Sequence, residues 1–438
     1  MDWKEIYLSR LKTMEEAVKL IKSGDRVVIG HAAGEPVKLV DTMVDYAVMA
    51  DLKNIEIFQQ ADMGHSLYTQ PGMELHFREN SLFLGARTRD CVNSGRGDFT
   101  PCYFYQTPSF FRNVKKPDVV LATLSLPDEH GYCSFGVSCD YTKPAAETEG
   151  AKVIAVVNPN MPRTLGDSFI HVRDIDVIVE DDTPIPELGL PPIGDDEMAI
   201  GEHIASLVND GDCLQLGIGA IPDAVLKFLG NKKNLGIHSE VISDGVIELY
   251  EQGVINCSAK NFNRDKMVAS FFMGTRKLYD FADDNPGLYI APVDYVNHPA
   301  IIGKNDNLVS INSSMEVNLM GEACSEAKGL EQISGIGGQV DFIRGAAFSR
   351  GGRSILAFPA TAEEGTISKI VPFLTQGATV TASRTDVDYI VTEYGIAKMK
   401  GNTLRERAHQ LIRIAAPQFK DGLAEEFERR FAEKYQEV

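Results

Sequence analysis

Two positions at the ends of predicted strands have similar neighbouring sequences but different side chains. Residues 53–60 (KNIEIFQQ) and 233–240 (KNLGIHSE) each read as a short strand that opens into an Asp/Gly turn. The first stretch ends at Gln60 and the second at Glu240. A carboxylate can act as a nucleophile, whereas an amide can only donate and accept hydrogen bonds. Glu240 is therefore the candidate catalytic residue, with a solvated or capping glutamate as the alternative interpretation.

The two halves share two further stretches in the same order. Residues 23–30 (SGDRVVIG) are similar to residues 210–217 (DGDCLQLG), and residues 174–180 (DIDVIVE) are similar to residues 386–392 (DVDYIVT). Ordered matches of this kind indicate a duplication. Because helix-like stretches alternate with apolar strands, the sequence predicts an α/β fold with two similar domains on mostly parallel sheets. Ligands of such sheets bind at the carboxyl ends of strands, so we expect the active site in the crevice between the domains.

A proline-rich stretch, residues 183–193, is the expected boundary between the domains. It gives an N-terminal domain of residues 1–187 and a C-terminal domain of residues 188–438, which carries Glu240. The end of the chain, residues 403–437, reads as two helices separated near residues 417–422.

Two glycine-rich loops could hold a ligand. Residues 216–222 (LGIGAIP) follow a strand and open a helix, where free backbone N–H groups can bind an anion or a developing oxyanion. Residues 334–342 (SGIGGQVDF) form the second loop. The first loop resembles part of a dinucleotide-binding fingerprint but lacks its third glycine, and an ordinary tight turn is the alternative.

Several polar residues lie close to these loops and strand ends in the sequence. His31 and Glu35 belong to the first-half loop that corresponds to the second-half glycine loop, so with Gln60 they are candidate pocket residues. Gln215 could position the carboxylate or the substrate. His238 lies two residues before Glu240, and a structural histidine is the alternative to a catalytic one.

The composition excludes several classes of protein. A net charge of -19 argues against nucleic acids and anionic membranes as partners. No apolar run is long enough for a membrane span, and the charged N-terminus does not read as a signal peptide, so we expect a cytoplasmic protein. The seven cysteines are scattered and metal-ligand spacing is missing, so neither a disulfide framework nor a metal site is predicted. Without a Gly-Lys-Ser/Thr loop, hydrolysis of nucleoside triphosphates is disfavoured.

These motifs together resemble a known family. The sequence is similar to the acetyl-CoA hydrolase/transferase family of class I CoA-transferases, and within it to the 4-hydroxybutyrate CoA-transferases. The similarity extends over essentially the whole chain and is carried by residues 30–36, 131–141, 215–222, 236–245, 334–342 and 391–397.

The resemblance implies a mechanism and a set of site residues. CoA would move between short-chain acids, such as acetate, butyrate and 4-hydroxybutyrate, by a ping-pong reaction in which Glu240 becomes a glutamyl-CoA thioester. CoA is then a substrate, and neither a prosthetic group nor a metal is required. The positions that match the family's CoA contacts are Gly217, Ile218, Gly219, Ala220, Ile221, Met315 and Gly338.

The resemblance leaves other functions open. An acyl-CoA hydrolase on the same scaffold would lose the thioester to water without an acceptor acid. A non-catalytic acyl-CoA sensor would not need Glu240, and a dinucleotide oxidoreductase rests only on Gly217 and Gly219. A homodimer or a higher homo-oligomer is expected from the family.

Overall fold

The computed structural model describes residues 2–436, which form two compact units. The first unit contains the chain up to Gly189 together with Val268–Val296. The second contains Leu190–Met267 and the chain from Asn297 onwards. In each unit a segment distant in sequence completes the fold, so neither unit is a single continuous stretch.

The first unit is built on a seven-stranded, fully parallel sheet in the order β4-β3-β2-β1-β5-β6-β7. Apolar side chains of the central strands are almost completely buried, which accounts for their continuous hydrophobic sequences. The strands are β1 Arg26–Ile29, β2 Ile55–Phe58, β3 Phe77–Ser81, β4 Asp98–Phe99, β5 Val119–Leu124, β6 Lys152–Val157 and β7 Val177–Glu180.

Helices cover this sheet, and helix Val37–Met49 packs its apolar residues into the core formed with β1, β2 and β5. The helices of the unit are Trp3–Arg10, Met14–Ala17, Val37–Met49, Thr88–Asn93, Thr107–Asn113, Thr142–Ala146, Arg276–Ala282 and Val293–Val296. Short 3₁₀ helices are Val18–Leu20, Ala32–Gly34, Leu67–Thr69, Phe104–Gln106 and Val172–Asp174.

The second unit is built on a six-stranded sheet in the order β9-β8-β10-β11-β12-β13, in which only β13 is antiparallel to its neighbour. Its strands are β8 Cys213–Leu216, β9 Gly236–Ile237, β10 Leu308–Ser313, β11 Arg353–Ala357, β12 Tyr389–Thr392 and β13 Gly395–Lys398. Its helices are Asp195–Ser206, Ala220–Lys227, Gly245–Glu251, Pro299–Ile302, Gln339–Phe348, Leu404–Arg413 and Lys420–Phe431, with a 3₁₀ helix at Pro417–Phe419.

Short strands complete the description. They are Tyr132–Ser134, Phe169–His171, Val241–Ile242, Met267–Ala269, Phe271–Phe272, Leu288–Ile290, Glu316–Asn318, Ala323–Cys324, Ala327–Lys328, Glu331–Gln332, Thr361–Ala362, Ile367–Ser368 and Ile370–Val371. The two helices predicted at the C-terminus are confirmed, but the second begins at Lys420, inside the break predicted near residues 417–422. Glu437, the last residue of that prediction, lies outside the described residues.

The predicted duplication is confirmed by the strand orders. In the first unit β2-β1-β5-β6-β7 run side by side, and in the second β9-β8-β10-β11-β12 do so in the corresponding positions. The two halves differ outside this shared set, because β3 lies beyond β2 whereas β9 is an edge strand. The α/β class with two mostly parallel sheets is therefore confirmed, and the boundary near residue 187 stays a prediction.

Three further properties concern the described residues as a whole. All seven cysteines are free, and only Cys102 is partly exposed. No described helix is long and apolar enough to cross a membrane. In residues 2–436, no group of three or more His, Cys, Asp or Glu side chains is arranged to hold a metal ion.

Candidate functional site

Glu240 lies just beyond the end of β9, and the backbone leading to it is tightly held. The His238 amide donates to the Leu214 carbonyl over 3.1 Å, which continues the pairing of β9 with β8 by one residue. The Ser239 hydroxyl donates to the Leu216 carbonyl over 2.8 Å and accepts from the Leu216 amide over 3.3 Å. The half-buried Glu240 therefore has a fixed position beside the end of β8.

The carboxylate of Glu240 is bound by an asparagine that the sequence analysis missed. Asn297 is fully buried, and its Nδ2 donates to Glu240 Oε2 over 2.6 Å. The same Nδ2 lies 3.5 Å from Asp341 Oδ2. A hydrogen bond to an ionised carboxylate is short and strong, so Asn297 restricts the orientation of Glu240. Nothing in the sequence around Asn297 indicated this role, because it reads as an ordinary turn before Pro299.

The backbone of Gly338 also lies close to the Glu240 carboxylate and to Asn297. It precedes helix Gln339–Phe348 and is itself buried. A Cβ atom at this position would overlap with Glu240 Oε2 and with Asn297 Nδ2. Only a glycine therefore allows the backbone to approach the carboxylate this closely. The sequence analysis gave Gly338 only as a CoA contact implied by the resemblance and did not predict this proximity to Glu240.

The first glycine loop starts where β8 ends and leads into helix Ala220–Lys227. Gly219 has φ 118° and ψ -178°, a backbone conformation that side-chain-bearing residues rarely adopt. Nothing lies within 4 Å of a Cβ atom built on Gly217 or on Gly219, and Ile218 is 39% exposed. The loop thus presents accessible backbone at a helix N-terminus, which suits an anionic or polar ligand.

The first turn of that helix carries a second residue that the sequence analysis did not identify. Asp223 is buried, and neither of its carboxylate oxygens has a hydrogen-bond partner among the described residues. Burial, together with the nearby charge of Asp244, raises the pKa of Asp223 to about 6. This carboxyl group consequently changes its charge in slightly acidic solution.

Gln215, Met315 and His238 lie in the same unit, in different surroundings. The side chain of Gln215 is engaged with β10, accepting from the Ser310 hydroxyl over 2.7 Å and from Asn312 Nδ2 over 3.0 Å. Met315 is half-buried after the end of β10, and its amide donates to the Cys324 carbonyl. His238 is fully buried, with its ring 6.3 Å from that of Phe342.

The first unit brings His31 and Gln60 close to one tyrosine. The Tyr141 hydroxyl donates to the Ile29 carbonyl over 2.9 Å and accepts from the Gln60 amide over 3.2 Å, so it joins the ends of β1 and β2. The His31 ring lies 5.5 Å from the Tyr141 ring, and its Nδ1 lies 3.1 Å from Asp140 Oδ2. His31 and Gln60 are both buried.

Glu35 belongs to a buried group of carboxyl side chains in the same unit. Its Oε2 accepts from the Met63 and Gly64 amides over 3.0 and 2.8 Å, yet burial raises its pKa. Glu79 is 1% exposed, and burial, with the charges of Asp62 and Glu35, raises its pKa well above the usual value. The sequence analysis identified Glu35 but missed Glu79, which lies within a strand.

Comparison with known proteins identifies the family. The acetyl-CoA hydrolase/transferase N-terminal domain matches residues 1–188, and the C-terminal domain of the same family matches residues 274–427. The chain belongs to the acetyl-CoA hydrolase/transferase family. The resemblance noted in the sequence is therefore confirmed.

Individual members of the acetyl-CoA hydrolase/transferase family agree with this assignment. The chain is 59% identical to the 4-hydroxybutyrate coenzyme A transferase of Clostridium kluyveri, covering 98% of this chain and 100% of that protein. It is 37% identical to the butyryl-CoA:acetate CoA-transferase of Anaerostipes caccae, covering 98% of each. These relatives give its enzyme class, which is that of the CoA-transferases.

Solved structures of two relatives share the fold. The structure of RipA from Yersinia pestis superposes with a TM-score of 0.94 at 36% identity, covering 98% of this chain and 100% of that chain. A 4-hydroxybutyrate CoA-transferase from Porphyromonas gingivalis superposes with a TM-score of 0.83 at 43% identity and the same coverage. Both comparisons cover 98% of this chain, so each of the two units has the family fold.

Proposed function

We propose that the protein transfers CoA between short-chain acyl-CoA thioesters and carboxylates of the 4-hydroxybutyrate, butyrate and acetate type, with Glu240 as the covalent nucleophile. The main support is the hydrogen bond from Asn297 to the Glu240 carboxylate, beside a glycine that admits no side chain. A carboxylate held at a strand end by a buried donor has one defined direction of attack. The names of the relatives support the class of acid.

The reaction proceeds in two half-reactions. A carboxylate oxygen of Glu240 attacks the thioester carbonyl carbon, the C–S bond breaks, and CoA thiolate leaves a mixed anhydride behind. The thiolate then attacks the Glu240 carbonyl carbon, the product acid leaves as its carboxylate, and a glutamyl-CoA thioester remains. The incoming carboxylate reverses these two steps, so no proton or electron is gained or lost overall.

Asn297 and Gly338 are suited to stabilising charge at the Glu240 carbonyl. When the thiolate attacks Glu240, negative charge develops on one of the oxygens that the carboxylate carried before. Asn297 Nδ2 already lies 2.6 Å from Oε2, so it can follow this charge without reorganisation. Loss of a hydrogen bond to a charged group costs about 1.5–3 kcal/mol, which corresponds to about 10- to 150-fold in kcat.

The loop formed by Gly217, Ile218, Gly219, Ala220 and Ile221 is proposed to bind CoA. The space around its glycines and its place at a helix N-terminus support this role. Met315 and Gly338 are proposed as further CoA contacts. Binding energy from the long, unreactive part of CoA can then contribute to catalysis at the thioester.

Recognition of the acyl group is proposed to involve three buried polar side chains of the first unit. His31, Glu35 and Gln60 stay predicted contacts of the acyl group, and their burial and polarity suit a site that reads a hydroxyl group. Gln215 stays a predicted positioning residue. An acyl chain that carries a hydroxyl would need such a partner, since a buried polar group left unpaired is costly.

Trapping of the covalent intermediate tests the role of Glu240. The protein is mixed with butyryl-CoA without an acceptor acid, and the products are digested with trypsin and mapped by mass spectrometry. We expect CoA on Glu240, in the peptide of residues 234–260, and reduction of that residue after borohydride treatment. Glu240→Gln should abolish both signals.

Glu251→Gln is the matched control, because Glu251 is an exposed carboxylate in the same tryptic peptide. It should retain the label at Glu240. Release of free CoA while Glu240 remains unmodified at early times would contradict the covalent mechanism and would favour direct hydrolysis.

A further inference from the structure

Lys260 is a buried lysine beside the strand that leads to Glu240. Lys260 is only 4% exposed. Its Nζ donates to the backbone carbonyls of Ile237 and Lys266, over 2.8 Å in each case. Both acceptors are neutral backbone carbonyls rather than carboxylates. A buried charge without a counter-ion is unfavourable, so its retention at this place requires a reason.

The position of Lys260 follows from the edge location of β9. The inner side of this strand is paired with β8, through the Gly236 amide to the Asp212 carbonyl and the His238 amide to the Leu214 carbonyl. The carbonyl of Ile237 lies between these two bonds and points away from β8, because successive residues of a parallel strand alternate in direction. An edge strand leaves such groups without a neighbouring strand.

Comparison with the first unit shows which hydrogen bond Lys260 replaces in the second. The repeat aligns Ile237 with Ile57 of β2, and Ile57 lies opposite Glu79 on β3. In the described part of the second unit, the six-stranded sheet ends at β9, and beyond it an isolated parallel bridge joins Leu235 to Ile255 without reaching Ile237. The Lys260 ammonium group thus supplies, at the outer side of β9, the hydrogen bond that a further strand supplies in the first unit.

The absence of a side chain at Gly236 leaves room for the buried Lys260 side chain. The aliphatic part of Lys260 lies against Gly236, where a Cβ atom would meet Lys260 Cγ at 2.5 Å.

We propose that Lys260 is a positioning residue for CoA transfer, which fixes the end of β9 and through it the direction of the Glu240 carboxylate. The inference rests on the proposed function of Glu240. Only two residues separate Ile237 from Glu240, and regular pairing with β8 ends at His238. A shift of the Ile237 carbonyl moves the carboxylate relative to Asn297.

Lys260→Met tests the proposal, because it retains the aliphatic length and removes the donor. We expect kcat for CoA transfer to fall about 100-fold, since displacement of a reacting group by about 1 Å costs this much. KM for the acyl-CoA should stay unchanged, because neither hydrogen bond of the Lys260 ammonium group is made to the proposed CoA loop. Lys260→Arg retains hydrogen-bond donors and a positive charge. Its kcat should therefore fall no more than about 10-fold, which is half of the loss in Lys260→Met on a logarithmic scale.

Lys233→Met is the matched control, because Lys233 is an exposed lysine shortly before the same strand and should lose no activity. Circular dichroism and thermal melting establish whether each variant is folded. If Lys260→Met does not fold, Gly236→Ala replaces it, because the added methyl group displaces the lysine while retaining its charge. The same loss of kcat at constant KM is expected from this variant.

Two results would overturn the proposal. One is a folded Lys260→Met or Gly236→Ala protein with kcat within twofold of the wild type, and the other is a loss that appears wholly in KM. Failure of the proposed function is recognised separately, because wild-type protein would then carry no label on Glu240 in the trapping experiment. A labelled wild type with fully active Lys260 variants refutes only the role of Lys260.

Discussion

Replacement of Asn297 by alanine should show how much the fixed orientation of the Glu240 carboxylate contributes to the rate of CoA transfer. The variant removes one hydrogen bond of 2.6 Å to an ionised carboxylate. Hydrogen bonds to charged groups contribute about 1.5–3 kcal/mol, and about 1.4 kcal/mol corresponds to a tenfold change in rate. We therefore expect kcat to fall about 10- to 150-fold in Asn297→Ala, with a smaller change in KM for the acyl-CoA.

The assay follows the formation of the glutamyl-CoA thioester in a single turnover, which reports the step at Glu240 without product release. Asn231→Ala is the matched control, since Asn231 is an exposed asparagine of the same unit. Asn297→Asp adds a second negative charge beside the carboxylate and should be at least as impaired as the alanine variant. A folded Asn297→Ala protein that forms the thioester within twofold of the wild-type rate would refute the proposed orientation by Asn297.

Two other variants follow from the geometry of the second unit. Gly338→Ala should abolish labelling of Glu240 in the trapping experiment while the protein still folds, because the new methyl group overlaps with the carboxylate and with Asn297; retained labelling would contradict this contact. Asp223→Asn should raise the melting temperature. The difference in melting temperature between this variant and the wild type should grow as the pH rises from 3.8, the usual pKa of the group, to about 6, its pKa in the folded protein. In this range the folded protein holds a proton that the unfolded chain has lost, so wild-type stability falls with rising pH. Melting curves of both proteins at several pH values test this, and a constant difference would contradict the raised pKa.

Local sequence patterns were sufficient for the architecture and for the position of Glu240. The repeated stretches are buried parallel strands with their own hydrophobic runs and turn residues, so each was recognisable in isolation. The comparison of Gln60 with Glu240 required only the alignment of two such strands. Gly338 was singled out through the resemblance as a CoA contact, and its position beside Glu240 is known only from the structure.

Contacts made by the tertiary fold could not be predicted in this way. Asn297 and Glu240 are 57 residues apart, and no periodicity relates them. The burial of Glu79 depends on strands that pack from other parts of the chain, whereas its sequence surroundings are polar. The partners of Gln215 follow from the register of β8 with β10, which the sequence alone does not fix.

The state of the cysteines has a practical consequence for measuring the reaction. Six of the seven thiols are buried, and burial raises the pKa of Cys133 and of Cys213 to about 12. Chromogenic disulfide reagents react with thiolates at accessible positions. In the native protein such a reagent should therefore detect free CoA above a small background from Cys102. Spectrophotometric titration of free CoA can then follow acyl-CoA hydrolysis continuously, whereas CoA transfer leaves no free CoA behind and should give no signal.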